Sequence, residues 1–204
     1  GLFAIDHGSS DGSREWMEEW LGRGVLAVED LPWLGHFSLD QQLQAKARVV
    51  ERVHHDWVLH LDADEWPQSN RADERLVTAI ERLADRGATA VNFEEFVFLP
   101  IDARPPHCQH YYPFAPSQQR LVRAWNRSCG FSNLQHGGHR LVGHQANSPR
   151  LADESLLLRH YIVQSEAQAA TKYLGRVFAA EEVGRGWHGN RIGLSRRQLQ
   201  FLSL

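Results

Sequence analysis

Cysteine is scarce: Cys108 and Cys129 are the only two in 204 residues. That is too few for a disulfide framework, and the pair lacks the spacing of a zinc site. A reducing cytoplasm is therefore the location we expect. The inner face of a membrane stays open as a peripheral site, because seven tryptophans are available for it. Long apolar runs are missing too. None approaches the roughly 20 residues of a membrane span, and the opening residues read as a strand, not as a signal peptide. Charge of one sign is also lacking, with 22 basic residues against 25 acidic ones and a net charge of −3. Without a basic field, nucleic acid is not the expected partner. What is present is an ordinary globular composition, 42% hydrophobic and 23% charged, long enough for one domain with a real core.

Turn formers and apolar periodicity divide the chain. Leu2 to Ile5 reads as a buried strand, followed by the turn-rich "DHGSSDGS". Trp16, Met17, Trp20 and Leu21 then recur at helical spacing, and "VLAV" at 25–28 is a second strand. Ser38 and Gln41 form a capping box ahead of a helix whose stripe is Leu39, Leu43, Ala47, Val50 and Val53. "WVLHL" at 57–61 is the third strand. A helix is predicted from about Asp73 to Arg86, and "ATAVNFEEFVFL" is the fourth strand. Strand and helix alternate three times, which predicts an α/β domain with a mostly parallel sheet. Beyond Pro100 the pattern weakens into a loop rich in Pro and aromatics. Strand-like pieces return at 119–125 and 155–163, and Ser165 with Gln168 opens a helix to about Ala180. The chain opens inside what reads as a strand, so we expect either a fragment or a chain that has lost an earlier strand and helix.

The chemistry concentrates in "DWVLHLDADEWP", residues 56–67. An apolar strand ends there on Asp62, Asp64 and Glu65. Read as extended, the segment sends Asp62 and Asp64 to one side, where two carboxylates repel unless a cation lies between them. Ligands of open α/β sheets bind beyond the carboxyl ends of strands, and both "DHGSSDGS" and "DADEW" lie at such ends. Magnesium or manganese typically takes one or two carboxylates plus substrate phosphates. A solvated acidic turn is the plain alternative.

Three segments, in order, resemble the family 2 type glycosyltransferases of the GT-A fold, in their bacterial branch with a DADE motif. "AIDHGSSDGS" looks like that family's second-strand motif, "HHDWVLHLDADEW" like its Asp-X-Asp strand, and "LRHYIVQSEAQAATKYLGR" like its late His-Tyr segment and helix. Together they span residues 1 to about 176. The resemblance implies a GT-A fold, Rossmann-like with helices flanking the sheet, here without its first strand. It implies one domain over 1–204, with 1–100 holding nucleotide sugar and metal and 101–204 facing the acceptor. The implied activity is metal-dependent and inverting: a sugar moves from a nucleoside diphosphate sugar to a glycan or lipid-linked saccharide, in cell-surface polysaccharide assembly. The implied cofactor is Mn2+ or Mg2+. Asp62 falls at the first motif acid, near ribose or metal, and Asp64 at the direct metal ligand. Asp6 lies beside the nucleoside, and His160 matches the histidine that completes the metal or diphosphate site. His7 stands where the family usually carries an acid or amide.

Inverting transfer also needs a base, and Glu94 and Glu95 are the candidates. Neighbours in a strand face opposite ways, so at most one serves, and parity alone does not choose. In "HGGHR" at 136–140, Arg140 could grip phosphate oxygens. Lys172 and Arg176, four apart, could line the diphosphate or acceptor side. Trp66 could stack on a sugar or a base. "HCQH" at 107–110 has too few ligands for zinc. Two rival readings stay open. One is a degenerate transferase-like domain without turnover. The other is a haloacid dehalogenase type phosphatase, disfavoured because Glu65 and Trp66 follow where Thr or Val is usual.

Overall fold

The computed structural model describes residues 1–99, 110–114 as backbone, 121–133, 140–143 and 148–199. They fall into two units: Gly1–Val53 with Arg176–Ile192, and His54–Gly175 with the segment from Gly193 onward.

In the first unit, β1 (Leu2–Asp6) and β2 (Val25–Asp30) pair in parallel, with Phe3 opposite Ala27 and Asp6 opposite Asp30. Between them α1 (Ser13–Glu18) is only six residues long. The apolar stripe expected there does not become core, because so short a helix presents little more than one turn. Trp16 and Trp20 are exposed and pack on each other, ring centroids 6.1 Å apart. The next helix, α2 (Leu39–Arg52), starts as the capping box predicts: Ser38 Oγ accepts the Gln41 N–H at 3.2 Å. Leu43, Ala45 and Val49 are its buried positions.

That helix start has a second acceptor from far along the chain. Glu182, on α5 (Ala180–Gly184), accepts from the Leu39 N–H at 3.1 Å, the Asp40 N–H at 2.8 Å and the Ser38 hydroxyl at 2.8 Å. His188 Nε2 lies 2.7 Å from its other side. The carboxylate satisfies donors that a helix end leaves unpaired, and places negative charge at the positive end of the helix dipole. Burial drives the Glu182 carboxyl upward, but the Asp40 N–H, His188, the Leu39 N–H and Ser38 together hold it down at about 2.

The second unit is built on one six-stranded sheet. Its strands are β3 (Trp57–Leu59), β4 (Glu65–Gln68), β5 (Ala90–Leu99), β6 (His110–Phe114), β7 (Val122–Asn126) and β10 (Leu156–His160), while β8 (Phe131–Ser132) and β9 (Val142–Gly143) make a small separate ladder. The order is β3-β7-β5-β10-β4, with β6 on the later half of β5. Only β5 and β10 run parallel within this sheet; the β3–β7, β7–β5, β5–β6 and β10–β4 pairs are antiparallel. The expectation of a mostly parallel sheet is therefore corrected to a mixed one. Strand–helix alternation stops after β5, and strands joined without a crossover helix tend to enter a sheet antiparallel.

β3 and β4 lie at opposite ends of this order, yet only residues 60–64 join them. Five flat strands would hold the two edges roughly 19 Å apart. The link includes a turn at 63–64, so the sheet curls to bring its edges together. The core fills one face. Ala79 and Leu83 of α3 (Leu76–Asp85) pack with Val91, Phe93, Ala124, Leu156 and Leu158, all at 0% exposure. Each large apolar side chain buried there contributes roughly 1.5–3 kcal/mol. α3 begins later than expected because Asp73 takes a left-handed φ of 60° in the preceding turn. α4 (Glu166–Leu174) starts at Ser165 as predicted, with the Gln168 N–H bonded to Ser165 Oγ at 3.1 Å, and Gly175 ends it well before Ala180.

Candidate functional site

On β5 the core face runs through Val91 and Phe93 and continues, by period-two alternation, to Glu95. On β10 the same face runs through Leu156 and Leu158 to His160. The site forms where this buried face turns polar. Glu95 Oε1 lies 2.5 Å from His160 Nδ1, and Glu65 of β4 is the cross-strand partner of His160. Glu94 points to the other face and is exposed, so of the two glutamates only Glu95 joins the cluster.

Asp64 comes from the turn ahead of β4. Its Oδ1 is 3.5 Å from His160 Nε2, and its Oδ2 is 2.8 Å from Lys172 Nζ of α4. Lys172 also donates to the Ile162 carbonyl at 2.7 Å, which fixes the ammonium over the carboxylate. These groups hold each other's charge. For Asp64, burial alone would raise the carboxyl, but hydrogen bonds from His160 and Lys172 and their positive charge carry it below its usual value. For His160, burial alone would lower the imidazole, but Asp64 and Glu95, with Glu65 adding to them, raise it to about 9. The ring is thus an imidazolium at neutral pH.

Asp62 does not share these partners. Residues 62–65 form a turn, with the Glu65 N–H on the Asp62 carbonyl at 3.0 Å and the Asp62 N–H on Glu65 Oε2 at 3.0 Å. The segment is thus not extended, and the argument that alternation sends Asp62 and Asp64 to one side does not apply. Asp62 lies 3.7 Å from Arg123 and 3.7 Å from His60 Nε2. Arg123 is ion-paired to Glu65, the side chains 3% and 0% exposed. Burial, followed by the Asp62 charge, pushes the Glu65 carboxyl up against the opposing pull of Arg123. Sequence reasoning missed Arg123 altogether. It lies beside an irregularity in the β5–β7 register, and no motif flags it.

In this structure each of the two acids instead faces its own cation of the chain, Lys172 at Asp64 and Arg123 at Asp62. Among the described residues, no group of three His, Cys, Asp or Glu side chains is placed to hold a metal ion. Asp64 with His160 could still form a partial shell. One carboxylate and one imidazole, the imidazole's far nitrogen anchored by Glu95, are suitable donors when phosphate oxygens complete the set.

The other expected site residues lie elsewhere. Asp6, at the end of β1 in the first unit, is buried and accepts the Ser9 N–H at 3.3 Å. His7 is half-buried, 3.4 Å from Gln42 and edge-on to Trp33 with centroids 5.1 Å apart. Burial lowers its pKa, and Arg176 and His36 add to this against the pull of Asp6. Arg176 lies past the end of α4, its guanidinium 4.7 Å from the Phe37 ring centre, so it does not share a helix face with Lys172. Arg140 is exposed; the rest of "HGGHR", residues 136–139, and residues 107–109 of "HCQH" lie outside the described residues.

No protein-family model matches the chain, and no curated protein is detectably similar to it in sequence. No described helix is long and apolar enough to cross a membrane.

Proposed function

We propose that the chain is a glycosyltransferase that moves a sugar from a nucleoside diphosphate sugar to a saccharide acceptor with the help of a divalent ion. One observation carries this reading. Asp64 of the DADE motif meets Lys172, 108 residues away in sequence, and His160, which is itself tied to Glu95. Two of the three segments that carry the family resemblance, the DADE segment and the late His-Tyr segment with its helix, thus meet in a single polar cluster.

The charges of that cluster favour a metal. Asp62, Asp64, Glu65 and Glu95 are four carboxylates against Lys172, Arg123 and a protonated His160. An added diphosphate would be repelled unless a dication came with it. In this reading the ion supplies electrostatic stabilisation of the leaving diphosphate. Asp64 and His160 hold it, and Lys172 is within reach of the phosphate oxygens. Glu95 orients the His160 ring and is the base we assign to the acceptor's proton, ahead of Glu94 on the opposite face.

The deciding test is the melting temperature with Mn2+ and UDP or GDP, since a ligand that binds only the native state raises it. We expect a rise that needs both metal and nucleotide and that disappears in Asp64→Ala. No shift with any nucleotide would leave a degenerate domain as the better account. Phosphate release from simple phosphomonoesters, lost in Asp62→Asn, would point to a phosphatase.

A further inference from the structure

A cavity of about 460 Å3 lies against the edge strand β4, lined by Gln68, Asn70, Arg71, Asp73, Glu74 and Leu157 among others. Its size is within the range of small-ligand sites. The β4–β10–β5 register extends it into a surface. Gln68 stands opposite Leu157, which stands opposite Glu94; one row on, Trp66 stands opposite Arg159 and Arg159 opposite Phe96. All six share one face, the reverse of the face that carries His160 and Glu95. Trp66 is 63% exposed. Arg159 leans over the Phe98 ring at 5.9 Å.

The chemistry of the walls selects the ligand. The charged groups are mostly spent on one another: Arg71 pairs with Glu154, and Glu74 with Arg82 and Ser69. The cavity's own cation, Arg71, is thus engaged, and on the neighbouring row Arg159 leans on the Phe98 ring. The Asn70 amide nitrogen is used on Glu154 at 2.8 Å, leaving its oxygen. Among the described residues, the Gln68 amide and the Asp73 carboxylate have no side-chain partner. Leu76, Leu157 and Pro67 supply too little apolar surface for a hydrophobic peptide or a lipid chain. What remains is an unstacked indole beside polar groups that all suit sugar hydroxyls: neutral amides, one carboxylate and the exposed Arg159 guanidinium. An indole takes the C–H face of a pyranose ring, and amides and carboxylates take its hydroxyls.

We infer that this face is a saccharide-binding site, with Trp66 as its platform and Gln68, Asn70 and Asp73 as its hydrogen-bonding groups. It is separate from the Asp64 cluster. Its role in anchoring a glycan acceptor rests on the transferase reading; saccharide binding itself does not.

The test is saturation-transfer NMR and calorimetry on the full chain with the methyl β-glycosides of glucose, galactose and N-acetylglucosamine. We expect at least one to bind. Trp66→Ala should weaken that binding by about tenfold, Gln68→Ala less, and Asp64→Ala not at all. Melting temperatures of the two β4 variants check that the fold is kept, as Trp66 is largely exposed. Absence of binding by all three glycosides, or unchanged affinity in Trp66→Ala, overturns the site. Glycoside binding through Trp66 without any nucleotide-induced shift keeps this site and removes the transferase. Nucleotide binding without glycoside binding does the reverse.

Discussion

Glu95 holds His160 by Nδ1 at 2.5 Å while His160 turns Nε2 toward Asp64 at 3.5 Å. The imidazole is thus fixed between two carboxylates on its two nitrogens, which is why its pKa stands at about 9. A metal ion can take Nε2 only after that proton leaves. Mn2+ affinity should therefore climb about tenfold per pH unit below 9 and level off above it. Calorimetry in buffers of different ionisation enthalpy would count the released proton. An affinity flat from pH 6 to 9 would remove His160 from the ligand set.

Lys172 competes for the same carboxylate. Lys172→Met takes away the ammonium 2.8 Å from Asp64 and leaves the acid with less counter-charge. We expect Mn2+ to bind about tenfold more tightly in this variant, while the affinity for a nucleoside diphosphate falls. Weaker metal binding would mean that the lysine shapes the site and does not contend for it.

The pair of Arg123 and Glu65 is almost wholly enclosed. Arg123→Met strands a carboxylate in the interior and should cost roughly 3–5 kcal/mol in chemical denaturation. Replacing both at once, with Glu65→Leu added, should recover most of that loss, because the desolvation penalty goes with the charges. A double variant as unstable as the single one would show that Asp62 and His60 depend on the arginine as well.

Glu182 should contribute to acid sensitivity. Its folded pKa of about 2 lies below the ordinary 4.5. Its contribution to stability is therefore complete above about pH 4.5 and fades as pH falls toward 2, by roughly 3 kcal/mol in all. Denaturant midpoints across that window should drop in both chains, but less steeply in Glu182→Gln, which is weaker at neutral pH from the start.

Local signals were readable and long-range ones were not. The caps at Ser38 and Ser165 declare themselves through an acceptor three residues ahead of its donor, and both helices begin where that rule puts them. β5 is visible as a long apolar run. The pairing partners of that run are not, since nothing local tells a strand whether its neighbour comes through a helix or a hairpin. That is why the sheet was expected to be mostly parallel. β4 was hidden because "EWPQ" joins a charge, a proline and an amide, and its strand character comes from pairing with β10. In the cluster, Asp64 was legible as a motif acid and His160 through the family resemblance, while parity alone could not tell Glu95 from Glu94. Lys172 read more simply as part of a solvated basic edge than as a site residue. Arg123 could be found only once the curl of the sheet had brought the two ends of its strand order together.

The anchoring of α2 by Glu182 also bears on how the chain is made. The acceptor for the helix start lies 144 residues downstream of Ser38, so a nascent chain that has emerged only as far as Gly175 has its opening βαβα segment but not the group that completes it. The first unit must wait for the last of its residues to leave the ribosome, while most of the second can already close. A truncation before Ala180 would accordingly loosen the amino-terminal elements first, although it removes none of them.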